Sequence, residues 1–128
     1  MKTETRHLGN LLERTAARAG DRVAVEEESG RRATYAELSR LADRLAARLS
    51  RWGIGRGDRV GLFLPKSLES VAAIHGILRA GAAYVPVDPT APAIRGAGIL
   101  ADARVRSVVV AESLAEDFAR AWPGPGPR

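Results

Sequence analysis

From Asp58 onward the sequence alternates between short apolar runs and longer segments with helical spacing. Val60 to Leu64 is a continuous apolar run ended by Pro65, as expected for a strand covered on both faces. Ser67 stands where it can cap a helix over Leu68 to Ala80, which is apolar nearly all round and stops at Gly81. Ala82 to Val87 is a second apolar strand, and Asp88-Pro89-Thr90 turns the chain. Pro92 to Asp102 is a weaker helix, because Gly96 and Gly98 each cost about 1 kcal/mol relative to alanine. A Val-rich strand, Ser107 to Ala111, and a helix, Glu112 to Trp122, complete the series. Strand, helix, strand, helix, strand, helix implies an α/β fold whose strands run parallel, with helical crossovers. Buried strands are expected near 59–64, 83–87 and 106–111.

The first half is built differently. His7 to Arg18 has Leu8, Leu11, Leu12, Thr15 and Ala16 near one helical face. Val23-Ala24-Val25 and Arg32 to Tyr35 flank a Ser29-Gly30-Arg31 turn and form a hairpin. Thr34-Tyr35-Ala36-Glu37 fits a capping box, in which the Thr34 hydroxyl and the Glu37 carboxylate each satisfy a free backbone N–H. The helix that follows carries Leu38, Leu41, Ala42, Leu45, Ala46, Leu49 and Trp52 at three- and four-residue spacing. Leu41, Leu45, Leu49 and Trp52 are therefore expected in the core. Gly53 to Asp58 is glycine-rich but follows a helix and opens a strand. A phosphate loop needs the reverse order, so the segment reads as a helix stop and turn.

Composition excludes several classes. The chain has 128 residues, 45% hydrophobic and 27% charged, which suits one domain or one lobe. No apolar run is long enough to span a bilayer, and Met1 to Asn10 lacks the hydrophobic core of a signal peptide. Without cysteine there is no disulfide framework or thiolate site, which is consistent with the cytoplasm. The formal net charge is +5. Lysine occurs only at Lys2 and Lys66, and the arginines are interleaved with acids, as in Asp43-Arg44, so no nucleic-acid partner is expected.

Two segments go further. Ala33-Thr34-Tyr35-Ala36-Glu37-Leu38 resembles the first core motif of adenylation domains, L-[TS]-Y-x-E-L, with Ala33 in place of the leading Leu. Leu78 to Pro89, LRAGAAYVPVDP, resembles the second, L-K-A-G-x-A-Y-[VL]-P-[LI]-D-P. The intervening Gly-Asp-Arg-Val and Leu-Pro-Lys-Ser-Leu-Glu fit as well. On these motifs the chain resembles the AMP-forming adenylate ligases, the superfamily of acyl-CoA synthetases and nonribosomal peptide synthetase adenylation domains. Pro92-Ala93-Ile94-Arg95 keeps the arginine of the family's next helix, while Gly96 takes an apolar position of it.

The resemblance implies that residues 1–122 are the N-terminal portion of an AMP-binding domain, part of its N-terminal lobe, with 123–128 a Pro/Gly tail. The complete family enzyme uses ATP and Mg to activate a carboxylic acid as acyl-AMP, then transfers it to CoA or a carrier-protein thiol. Its phosphate loop, ribose-binding aspartate and late lysine have no counterpart in residues 1–128. The chain is expected to be an inactive scaffold whose partner is the downstream part of the ligase. A non-catalytic α/β interaction module or a gene remnant is the alternative, and the downstream coding sequence distinguishes them. The substrate and acceptor are not readable here. No catalytic, cofactor-binding or metal-binding residue is named. Thr34, Tyr35, Glu37, Leu38, Gly81, Tyr84, Pro86, Asp88 and Pro89 are read as structural motif residues. His75 is read as a packed neutral histidine and Lys66 as a solvated lysine.

Overall fold

The computed structural model describes residues 7–127. Residues 1–6 and 128, the start of the polar N-terminus and the last residue of the Pro/Gly tail, lie outside the described residues. A short 3-10 turn, Leu8–Asn10, leads into α1 (Leu11–Ala19). The antiparallel pair β1 (Val23–Glu26) and β2 (Arg32–Thr34) precedes α2 (Tyr35–Arg51). Then come β3 (Arg59–Phe63), α3 (Leu68–Arg79), β4 (Ala83–Pro86), α4 (Ala93–Asp102), β5 (Ser107–Val110) and α5 (Glu112–Ala121). The last three strands form one parallel sheet in the order β4-β3-β5, with Val60 beside both Tyr84 and Ser107. The expected α/β architecture and its parallel strands are present.

Side-chain alternation in β3 divides the core. Val60 and Leu62 face α2 and α3 and pack with Leu49, Ile54, Ala73 and Ile77. Phe63 faces the other way, with Ala97, Leu100, Val105 and Phe118 of the α4–α5 side. Gly61 faces that side too, where a Cβ would meet Leu100 Cδ1 at 2.7 Å. A third cluster, Leu12, Leu38, Ala42 and Ala72, joins α1, α2 and α3.

Several expectations are corrected. The first helix begins at Leu11, not His7. His7 Nδ1 accepts a bond from Gly9 N, and Gly9 lies so close to α3 that a Cβ would sit 2.8 Å from the Leu78 carbonyl oxygen. That contact, rather than helical periodicity, sets the chain's entry. Only Leu12 of its apolar face is buried, while Leu8 and Leu11 are exposed. On α2, Leu49 is buried, but Leu41 and Leu45 are only partly so. Trp52 is 37% exposed, because it is the C-cap residue at which α2 ends rather than a position within the packed helix. β4 is not buried: Ala83, Tyr84 and Pro86 are exposed, since β3 covers one edge only.

Candidate functional site at the carboxyl ends of β3 and β4

The parallel strands β3 and β4 end side by side, and a crevice of about 600 Å³ opens beyond them under the first turns of α3. Ligands of open α/β sheets bind outside the carboxyl ends of the strands, which makes this crevice the first place to look. Its floor is apolar, with Leu62, Leu64, Ile74 and Val87, and Lys66, Ser70, Asp88 and Thr90 are its polar lining.

Asp88, Thr90 and Ser70 are already engaged, whereas Lys66 is exposed with no ion pair or hydrogen bond among the described residues. The Asp88 carboxylate accepts bonds from Thr90 Oγ1 (2.7 Å) and Thr90 N (2.9 Å), and these hold it below the usual carboxylate range. Its work is to tie the turn that leaves β4. The α3 N-terminus is filled from two directions. Ser67 Oγ accepts from Ser70 N (3.2 Å) and Ser70 Oγ from Ser67 N (2.8 Å), a reciprocal capping box. Glu27, in the turn between β1 and β2, accepts from Leu68 N at 3.0 Å. Arg31 of the same turn bonds both Glu27 and Glu69, and its hydrogen bond is the main reason the Glu69 carboxyl is held low. A helix N-terminus attracts anions through unoccupied N–H groups, and here side chains occupy them. With that N-terminus filled, the exposed Lys66 alone does not form a nucleotide-phosphate cradle.

The motif residues separate into two places. Thr34 caps α2 as expected: its hydroxyl accepts from Glu37 N (3.1 Å) and Glu37 accepts from Thr34 N (3.3 Å). Leu38 is buried one turn on, and Tyr35 is partly buried beside it. Pro86, Asp88 and Pro89 line the crevice. Tyr84 stands on exposed β4 outside it, and Gly81 ends α3 with φ +89°, where a side chain would be strained. The two motifs thus occupy different surfaces. Lys66 is exposed at the crevice. His75 is partly buried, its Nδ1 has no hydrogen-bond partner, and burial pushes its imidazole below the ordinary range.

Two interactions escaped the sequence reading. Arg79 reaches from α3 to α2, donating to the Ser39 carbonyl (2.9 Å), the Ser39 hydroxyl (3.3 Å) and Asp43 (2.6 Å). It occupies the basic slot of the second motif, so its signal was present. At the amino end of the sheet Asp58 accepts from Gly55 N (2.9 Å) and Arg106 (3.0 Å), and Arg106 also donates to the Gly53 carbonyl (3.1 Å). The Gly53–Asp58 segment is therefore a braced turn, with Gly53 and Gly57 at positive φ.

Comparison with known proteins accounts for this combination of fold and motifs. Residues 12–124 match the family model described as AMP-binding enzyme. The chain is 46% identical over 111 residues to an isonitrile lipopeptide synthase of Streptomyces coeruleorubidus, covering 87% of this chain and 7% of that protein. It is 44% identical over 104 residues to surfactin synthase subunit 1 of Bacillus subtilis, covering 81% and 3%. Among solved structures, it superimposes with a TM-score of 0.88 and 33% identity on the nonribosomal peptide synthetase FmoA3 in an α-methyl-L-serine-AMP bound form, covering 99% of this chain and 14% of that one. The N-terminal domain of FACL13 from Mycobacterium tuberculosis gives 0.80 and 31%, covering 91% and 29%. The chain thus spans only a small part of the length of these relatives. The chain belongs to the AMP-binding enzyme family of adenylate-forming ligases.

Proposed function

We propose that this chain is the N-terminal scaffold segment of an ATP- and Mg-dependent ligase that activates a carboxylic acid as acyl-AMP and passes it to the thiol of CoA or a carrier protein in the cytoplasm. The observation that carries the reading is the likeness, over nearly the whole chain, to a small part of a synthetase seen with α-methyl-L-serine-AMP bound. The filled α3 N-terminus and the engaged Asp88 support a mounting role for this segment. The groups that meet the charge of the transferring phosphoryl lie on the remainder of the ligase in this reading. A preorganised donor is worth about 3–4 kcal/mol of transition-state stabilisation, so a chain without several of them has no measurable turnover.

ATP–pyrophosphate exchange with residues 1–128 alone, supplied in turn with amino, aryl and fatty acids, tests this directly. No exchange above the protein-free control is expected. Exchange with any acid that survives further purification would overturn the reading.

A further inference from the structure

The solvent face of α2 carries one arginine per turn: Arg40, Arg44, Arg48 and Arg51. All four are exposed, and no ion pair or hydrogen bond from the described residues engages their side chains. This sets them apart from Arg31, Arg32, Arg79, Arg106 and Arg120, which all pair with carboxylates. The one aspartate on α2, Asp43, is taken by Arg79 of α3, so it does not offset the row. At 1.5 Å per residue the row runs about 16 Å. Along its first half lies a shallow groove of about 250 Å³ between β2 and α2. Arg40 and Arg44 of α2 and Arg32 of β2 line it, with Glu37, which is held by the Thr34 N–H, as its one acid, and the partly buried Leu41 and buried Leu68 supply apolar floor.

We propose that this face docks an acidic, amphipathic helix of a partner protein. Carboxylates spaced one per turn match arginines spaced one per turn on a helix packed alongside, and an apolar residue of the partner fits over Leu41. Uncompensated like charges repel one another along α2, and a carboxylate opposite each removes that repulsion. Other anionic surfaces fit less well. The exposed α2 residues around the row are Glu37, Asp43, Ala47 and Ser50, with no large apolar side chain to enter a membrane interface. A single-stranded nucleic acid calls for several aromatic platforms, and Trp52 is the only aromatic residue adjoining the row in sequence. A duplex calls for an element that enters a groove, whereas α2 is held against α3 along its other face.

The test uses the 128-residue chain and a fluorescent synthetic peptide, helical by circular dichroism, with glutamates one per turn beside a leucine stripe. Fluorescence anisotropy reads its binding. The double variant Arg44→Glu/Arg48→Glu is expected to weaken binding by about tenfold at low salt. Arg56→Glu/Arg95→Glu makes the same charge change at exposed sites off the row and is expected to leave affinity within about twofold. Both variants change exposed side chains only, and circular dichroism checks that each is folded. Binding of the wild-type chain is also expected to fall as salt is raised, since the Debye length shortens to about 10 Å at 0.1 M. Equal losses in the two double variants would reduce the effect to net charge and overturn the proposal. So would no peptide binding, or Arg44- and Arg48-dependent binding to duplex DNA or phosphatidylserine vesicles that exceeds binding to the peptide.

Discussion

Gly96 of α4 lies directly on the ring of Phe63 in β3: a Cβ at position 96 would fall 2.7 Å from the ring's Cε2 atom. Phe63 cannot retreat easily, because it is 1% exposed and stacks on Phe118 with ring centroids 5.0 Å apart. The glycine that departs from the family pattern is thus the residue that lets α4 approach the sheet.

The two glycines of α4 should respond oppositely to alanine. Gly98 has nothing within 4 Å of its absent Cβ, so Gly98→Ala should stabilise by about 0.5–1 kcal/mol through helix propensity. Gly96→Ala gains the same propensity but overpacks the Phe63 site, for a net loss of about 1 kcal/mol. Urea unfolding of both variants decides it. Stabilisation by Gly96→Ala would mean that Phe63 moves freely.

The α2 stripe should show graded losses. Leu49→Ala at a 1% exposed site should destabilise by about 2–5 kcal/mol. Leu45→Ala at a partly buried site should lose less, about 1–2 kcal/mol. Arg48→Ala should stay within about 0.5 kcal/mol. Denaturant midpoints at constant m-value give the order, and equal losses at Leu49 and Arg48 would contradict the assigned face.

Arg79 should matter more than its acidic partner. Arg79→Met removes the bonds to both the carbonyl and the hydroxyl of Ser39 and should destabilise by about 1–3 kcal/mol. Asp43→Ala removes only an ion pair whose carboxylate is 65% exposed, so its effect should lie within about 1 kcal/mol. If thermal melts place the two variants level, the ion pair, not the interhelical hydrogen bonding, holds α3 to α2.

His75 should make stability depend on pH in the mildly acidic range. Burial, and secondarily the Arg79 charge, lower its folded-state pKa. The unfolded state therefore takes up the proton first as pH falls, and protonation favours unfolding. Stability from the neutral imidazole is complete above about pH 6.5 and declines as pH drops below it. Urea midpoints from pH 7.5 to 5 should fall for the wild type and fall less for His75→Gln. Parallel profiles would assign the slope to other groups.

What the sequence made legible was local. The Thr34–Glu37 capping box, the Ser67 cap, the glycine turn before β3 and the three parallel strands each follow from neighbouring residues or from alternation along the chain. Periodicity identified the apolar face of α2 but not how deeply each position sinks, since that depends on what α3 lays over it. Leu45 is half covered for this reason. The apolar run at β4 read as a buried strand, yet burial needs a neighbour on each side, and β4 has β3 on one side only. The Glu27 bond to Leu68 N spans 41 residues and leaves no local pattern. At the crevice Asp88 read as structural, and its bonds to Thr90 show how it is engaged, while Lys66 is exposed.

Complementation of exchange activity tests the scaffold account most directly. The chain would be mixed with a separately expressed downstream fragment of surfactin synthase subunit 1, beginning after the segment that matches residues 12–124. ATP–pyrophosphate exchange would be followed beside native-gel detection of the complex. The account predicts a complex and amino-acid-dependent exchange on mixing, with neither fragment active alone. A complex that forms without exchange, or exchange by the 128-residue chain alone, would contradict it.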